Sequence, residues 1–297
     1  MGLTKCESAS CEACSKTYGR SLGLWSPHPS KKGFARNSIP LSLHLTQSLA
    51  SSGLAALKMP ATKPAVLFSY PRIQVVESFE ELVTTPFENG VNALCWQREL
   101  AGDYAEIVAH LKGSLGHGIT TLDEEMLMEL SLSAAGQQAR EILLADQRLL
   151  QNYELSPVLD FIQGYDHDRE GVTLPTHVQS FHADSATVEA DTYLCTYYGA
   201  SSEGLPNEQA IRHVDIPKTR AALLRDYGGE EDAGFIDYLS DHFYDLHYAP
   251  LPGAQIYDFG VGALWRIAIQ HPTGVVPPCI HRAPVTIPGE PRLLLIS

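Results

Sequence analysis

From residue 176 to residue 297 the chain is cut into short apolar stretches closed by Gly, Pro or Asn. These are Thr176–Ala183, Thr187–Tyr198, Gln255–Phe259, Ala263–Ile269, Val275–His281 and Arg292–Ser297. Most are too brief for an amphipathic helix, which needs about ten residues or more of sustained period. Short strands at regular spacing point instead to a sandwich, jelly roll or barrel. Pro217–Tyr227 and Asp232–Tyr244 carry helical patterns and read as insertions between strands. Asp237, Asp241 and Asp245 recur every four residues there and read as a solvated helix face.

The part before residue 176 has another texture. Val66–Val76 and Asn92–Trp96 are strand candidates. Ala101–Lys112 and Leu122–Tyr153 read as helices, the second opened by a capping box of Thr121 and Glu124. Val158–Ile162, after Pro157, reads as one more helical turn. The expected class is therefore α+β, with N-terminal helices (99–165) packed on a β core (173–297).

Charge sets a boundary further upstream. Residues 1–63 hold 8 Lys/Arg against 2 acids, and residues 64–297 hold 13 against 33. The basic, Ser-rich leader is expected to be disordered, with an organelle-targeting peptide as the alternative. The rest, 64–297, is expected to form one domain, cytoplasmic unless the leader directs it elsewhere. A formal charge of -14 disfavours nucleic acid and anionic membranes as partners. The uncharged stretch 37–57 holds Pro40, His44 and Gln47, which is too polar for a membrane span. A small-molecule substrate is the partner expected; composition leaves the oligomeric state open. Three cysteines sit in the leader and three (Cys95, Cys195, Cys279) in the body, which suits a reducing compartment. Cys11 and Cys14 have the spacing of half a zinc site.

Several motifs fail on context. Asp258-Phe259-Gly260 lacks the other kinase loops, and Gly260-x-Gly262 has no third glycine and no following helix. His213-x-Asp215 precedes Ile216-Pro217, so Asp215 reads as a helix-start residue. His182-x-Asp184 differs because its surroundings are strand-like on both sides. Residues i and i+2 of a strand share a face, so these two side chains can chelate one cation. His281, from a distant strand, would complete a set of two imidazoles and one carboxylate, suited to non-haem iron(II). Arg292 begins the last strand, where its guanidinium can pair bidentately with a carboxylate. Cys279 would share the His281 face, and Arg266 lies on a late strand.

These segments resemble the Fe(II)/2-oxoglutarate-dependent oxygenases of the double-stranded β-helix (jelly roll, cupin-like) fold. Phe181-His182-Ala183-Asp184 is similar to their first metal motif. Thr192–Tyr198 with Glu203-Gly204-Leu205-Pro206 is similar to the next strand and turn, and His281-Arg282-Ala283-Pro284 through Pro291-Arg292-Leu293-Leu294 to the distal His and co-substrate Arg. The resemblance covers roughly 90–297 and requires an insertion near 207–250. The same pieces resemble an uncharacterised set, domain-of-unknown-function family eighteen-twenty-six, whose members are linked to zinc homeostasis. The first resemblance implies iron held by His182, Asp184 and His281, and 2-oxoglutarate anchored by Arg292. Tyr193 and Tyr197 would either hydrogen-bond that co-substrate or serve as core aromatics. The implied reaction is oxidation of a substrate coupled to decarboxylation of 2-oxoglutarate. The second implies a zinc-binding protein without turnover.

Overall fold

The computed structural model describes residues 70–165, 171–285 and 287–297. The leader and the first four residues of the Val66–Val76 stretch lie outside these residues. Chain order begins β1 (Ile73–Val76), α1 (Phe79–Thr84), β2 (Ala93–Trp96), α2 (Tyr104–Ser114), β3 (Ile119–Leu122), α3 (Glu124–Met128) and α4 (Ala134–Asn152). It continues with β4 (Val158–Ile162), β5 (Phe181–His182), β6 (Asp191–Tyr198), β7 (Glu203–Leu205) and β8 (Ala210–Arg212). Then come α5 (Pro217–Tyr227), α6 (Ala233–Asp241), β9 (His247–Pro250), β10 (Tyr257–Asp258), β11 (Leu264–Ala268), β12 (Ile280–Arg282) and β13 (Arg292–Ile296). The α+β class holds.

Two points correct the sequence reading. The segment Leu122–Tyr153 is two helices, because two separate caps start them. Asp123 accepts from the Met126 amide, and Ser133 accepts from the Gly136 amide. Thr121 lies in β3, and its hydroxyl donates to Asp160 instead of capping a helix. Val158–Ile162 is a strand, and with β3 it adds a second element type to the expected helical part 99–165.

The strands form two sheets. The larger has the order β1-β2-β11-β6-β13-β4-β3, and the smaller β10-β7-β12-β5-β9-β8. Every pairing is antiparallel except β1 with β2.

Strand alternation divides the core. On β6, Tyr193, Cys195 and Tyr197 join Leu293 and Leu295 of β13 in a cluster with α1–α4. The intervening Leu194 and Leu294 join Trp265, Ile267, Tyr257 and Cys279 in a cluster between the two sheets. One face of the larger sheet thus carries the helices, and its other face meets the smaller sheet. Polar ties fix the helix layer. Arg98 and the Tyr197 hydroxyl both bond Asp146 of α4, whose carboxylate is 2% exposed. Arg266 pairs with Asp191 at 2.7 Å and donates to the α1 C-terminal carbonyls of Val83 and Thr85. That is a structural use of the late-strand guanidinium, the cation meeting the negative end of a helix.

Between β7 and β10, the chain adds β8, α5, α6 and β9, within the insertion expected near 207–250. Its Val214, Leu223, Phe235 and Leu239 form an apolar centre that Leu174, from before β5, joins. Asp215 sits in a 3-10 turn before α5 and pairs with Arg212, while Ile216 is the cap residue. Among the described residues, no helix is long and apolar enough to cross a membrane.

Candidate metal centre

β12 lies beside β5 with His281 directly opposite His182. Cross-strand partners share a face and stand close, so the two imidazoles meet at 4.6 Å between ring centroids. Asp184 follows β5 by two residues and returns to the same side. Its backbone carbonyl accepts from Gln270, and its carboxylate accepts from the Thr192 hydroxyl at 2.6 Å. The His182 Nε2 to Asp184 Oδ1 distance is 3.6 Å, and His281 Nε2 to Asp184 Oδ2 is 3.7 Å. The three donor atoms all lie within 4.8 Å of one another. Ligands about 2.0–2.2 Å from one ion stand at most about 4.4 Å apart, so little closure is needed.

The far nitrogens support the same use. His182 Nδ1 lies 2.8 Å from the Ser180 carbonyl, and His281 Nδ1 3.5 Å from the Cys279 carbonyl. A carbonyl only accepts, so each Nδ1 carries a hydrogen and each Nε2 is the atom turned to the centre, a ligand once it is deprotonated. Metal-binding histidines are oriented in this way.

Electrostatics separates the three groups. Burial alone would raise the Asp184 carboxyl, but the flanking imidazoles and the Thr192 hydroxyl hold it below the usual carboxylate range. Burial disfavours a charge on His182, yet the Asp184 carboxylate outweighs it and His182 rises. His281 is pushed down to about 4, first by burial and further by His182 and Arg292, against the pull of Asp184. One carboxylate serves one imidazolium, and His182 takes the proton first.

Arg292 opens β13 on the inter-sheet face, 5% exposed. Its Nη2 donates to the hydroxyls of Thr196 at 2.9 Å and Ser202 at 2.7 Å, and its Nη1 to the Tyr165 hydroxyl at 3.3 Å. Among the described residues no carboxylate pairs with it, and its buried Nε has no partner. A cleft that Arg292 lines also holds Ile162, Tyr165, Pro284 and Ile287, with Glu290 among its walls. A buried guanidinium with only neutral partners is costly. It favours an anion entering that cleft.

Three of the six site residues converge, His182, Asp184 and His281, and Arg292 lies on the same inter-sheet side, bonded to Thr196 of β6, whose Thr192 holds Asp184. The other two do not. Tyr193 and Tyr197 point into the helix-side core, where Tyr197 stacks on Tyr104 and bonds Asp146. The expectation that they reach a co-substrate is corrected by the parity of β6. Thr192 and Thr196 occupy its inner face, one on Asp184 and the other on Arg292. Cys279 is not among the converging donors; its Sγ lies buried, 3.7 Å from the Tyr257 hydroxyl.

The site also holds a histidine that sequence reasoning missed. His247 of β9 stands opposite His182 on its other side, ring centroids 5.7 Å apart. No family model, curated protein or solved structure matches the chain.

Proposed function

We propose that this protein is an Fe(II)- and 2-oxoglutarate-dependent oxygenase acting on a small molecule. The observation that carries the reading is the pairing of two sites on one inter-sheet face. Two imidazoles and a carboxylate converge on one point, and a buried guanidinium without a carboxylate partner lies on the same inter-sheet side, bonded to Thr196 of the strand whose Thr192 holds Asp184. Two His and one carboxylate leave open positions on a bound Fe(II), the arrangement used for oxygen chemistry.

The strand winding supports a jelly-roll core. β4, β5, β6 and β7 alternate between the larger and smaller sheets, and β10, β11, β12 and β13 alternate again. Eight strands wound as two such halves are the jelly-roll pattern.

The chain's own residues have distinct tasks in this reading. His182, Asp184 and His281 hold the metal, with Thr192 fixing the carboxylate. Arg292 binds the distal carboxylate of 2-oxoglutarate, its orientation set by Thr196, Ser202 and Tyr165. Ile162 and Pro284 exclude water from that cleft. Bound iron would supply the activation of dioxygen that these side chains cannot.

Full-length protein loaded with Fe(II) is expected to release succinate from 2-oxoglutarate under air. His182→Ala abolishes the release, and Arg292→Ala raises the 2-oxoglutarate requirement while leaving metal binding intact. Arg292→Ala with an unchanged 2-oxoglutarate requirement would reject the anion site. Tight zinc binding with no succinate release would favour the non-catalytic zinc protein.

A further inference from the structure

The insertion between β7 and β10 returns as β9 and pairs with β5 at its free edge. This places a third histidine in the row His281, His182, His247 across three adjacent strands. His182 is thus held between two imidazoles, tilted 48° to His281 on one side and near-parallel, at 24°, to His247 on the other.

His247 does not itself join the donor set. The group within mutual ligand reach is His182, Asp184 and His281. Its own ring is fixed from behind, since Nδ1 lies 2.8 Å from the Phe243 carbonyl. Phe243 adopts φ +58, a left-handed conformation that residues with a Cβ avoid. The backbone keeps this unfavourable geometry at the residue whose carbonyl receives His247. His247 is 5% exposed, so the ring is an inner wall of the site rather than a surface group.

We infer that His247 is a positioning residue: its ring face, carried in by the insertion, sets the plane of the His182 imidazole and so the direction of a metal ligand. The inference rests on the metal-centre reading and is independent of 2-oxoglutarate. The mechanism is steric. A flat ring packed beside its neighbour limits that neighbour's rotation about the Cβ–Cγ bond, and the Nε2 of His182 stays aimed at the ion. Hydrogen-bonded partners that orient a metal-binding histidine change metal affinity about 10–100-fold when removed, and a packing contact is expected to act at the low end of that range.

The test uses full-length protein and Co(II), whose visible spectrum reports ligand geometry. His247→Ala is expected to weaken Co(II) binding about tenfold and to alter the spectrum. His247→Phe, which keeps a flat ring, is expected to retain the wild-type spectrum and affinity within about threefold. His247→Ala with wild-type affinity and spectrum would overturn the inference. So would His247→Phe behaving like His247→Ala. Should the alanine variant fail to fold, His247→Leu takes its place as the variant without a flat ring, and wild-type affinity and spectrum in it overturn the role. Wild-type protein that binds no Co(II) would strike down the metal centre itself, and this role with it.

Discussion

Thr192 is a small residue with a large lever. Its buried hydroxyl donates to Asp184 Oδ2 at 2.6 Å, the oxygen that faces His281, and so fixes the carboxylate whose other oxygen faces His182. Thr192→Val keeps the shape and removes the donor. We expect Co(II) affinity to fall about tenfold, with the melting temperature nearly unchanged; isothermal titration and a thermal scan read the two. Proton competition gives a second expectation. Burial lowers His182 but the Asp184 carboxylate outweighs it and raises it in the metal-free protein, so below that raised value an incoming ion must displace its proton. Co(II) affinity should therefore increase as pH rises through the raised His182 value and level off above it. Without metal the sign is reversed: the His182–Asp184 contact contributes its full stability below the unfolded value of about 6.5 and loses it as pH climbs through the folded value. Titrations on both sides of that range, giving equal affinity, would refute the protonated His182. His182, Asp184, His281 and Arg292 were legible in the sequence because such side chains are rare in apolar, strand-like stretches. The roles of Thr192 and Thr196 were not. Asp191–Tyr198 is buried on both faces, so its residues show no polar alternation from which to read which side meets the site.

At the scale of elements, the helices with strong caps and period were legible, and α5 falls on the expected residues Pro217–Tyr227. β4 was misread because a five-residue apolar run after a proline fits a helical turn as well as a strand. Its pairing with β13 decides the matter, and that partner lies over a hundred residues away. β9 went unseen because His247–Pro250 has neither apolar alternation nor a β-branched residue, and it forms only by addition to β5. With it went His247. The join between β6 and β7 is similarly tight. Gly199 has φ +84, and a Cβ there would stand 2.5 Å from the Pro291 carbonyl oxygen, just before Arg292. Gly199→Ala should cost about 1–3 kcal/mol in urea unfolding. It should also weaken 2-oxoglutarate binding, because relief of the clash moves the start of β13. Unfolding at the wild-type midpoint would show that the approach is looser than described. In the helix layer, Asp146→Ala leaves Arg98 as an uncompensated buried charge. The expected loss is about 3–5 kcal/mol, read by the same denaturation.

For the whole molecule, sequence-distant strands share one sheet: β13, the last strand, lies between β4 and β6, with β3 beyond β4. The ligands follow the same logic, for His182 and His281 meet only when β5 and β12 pair. An unfolded chain cannot hold both near one ion, so metal binds the native state alone. Such a ligand at about 100 times its dissociation constant stabilises by about 2.7 kcal/mol. For a domain of this size each kcal/mol moves the midpoint about 2–4 °C, so the shift on adding Co(II) should be about 5–10 °C. His182→Ala should erase the shift, and Arg292→Ala should preserve it, because Arg292 contacts no metal donor. An equal shift in wild type and His182→Ala would mean that the ion binds elsewhere. A shift lost in Arg292→Ala would mean that the two halves of the site are one structural unit, in which the guanidinium helps to set the packing of β13 against the metal-bearing sheet.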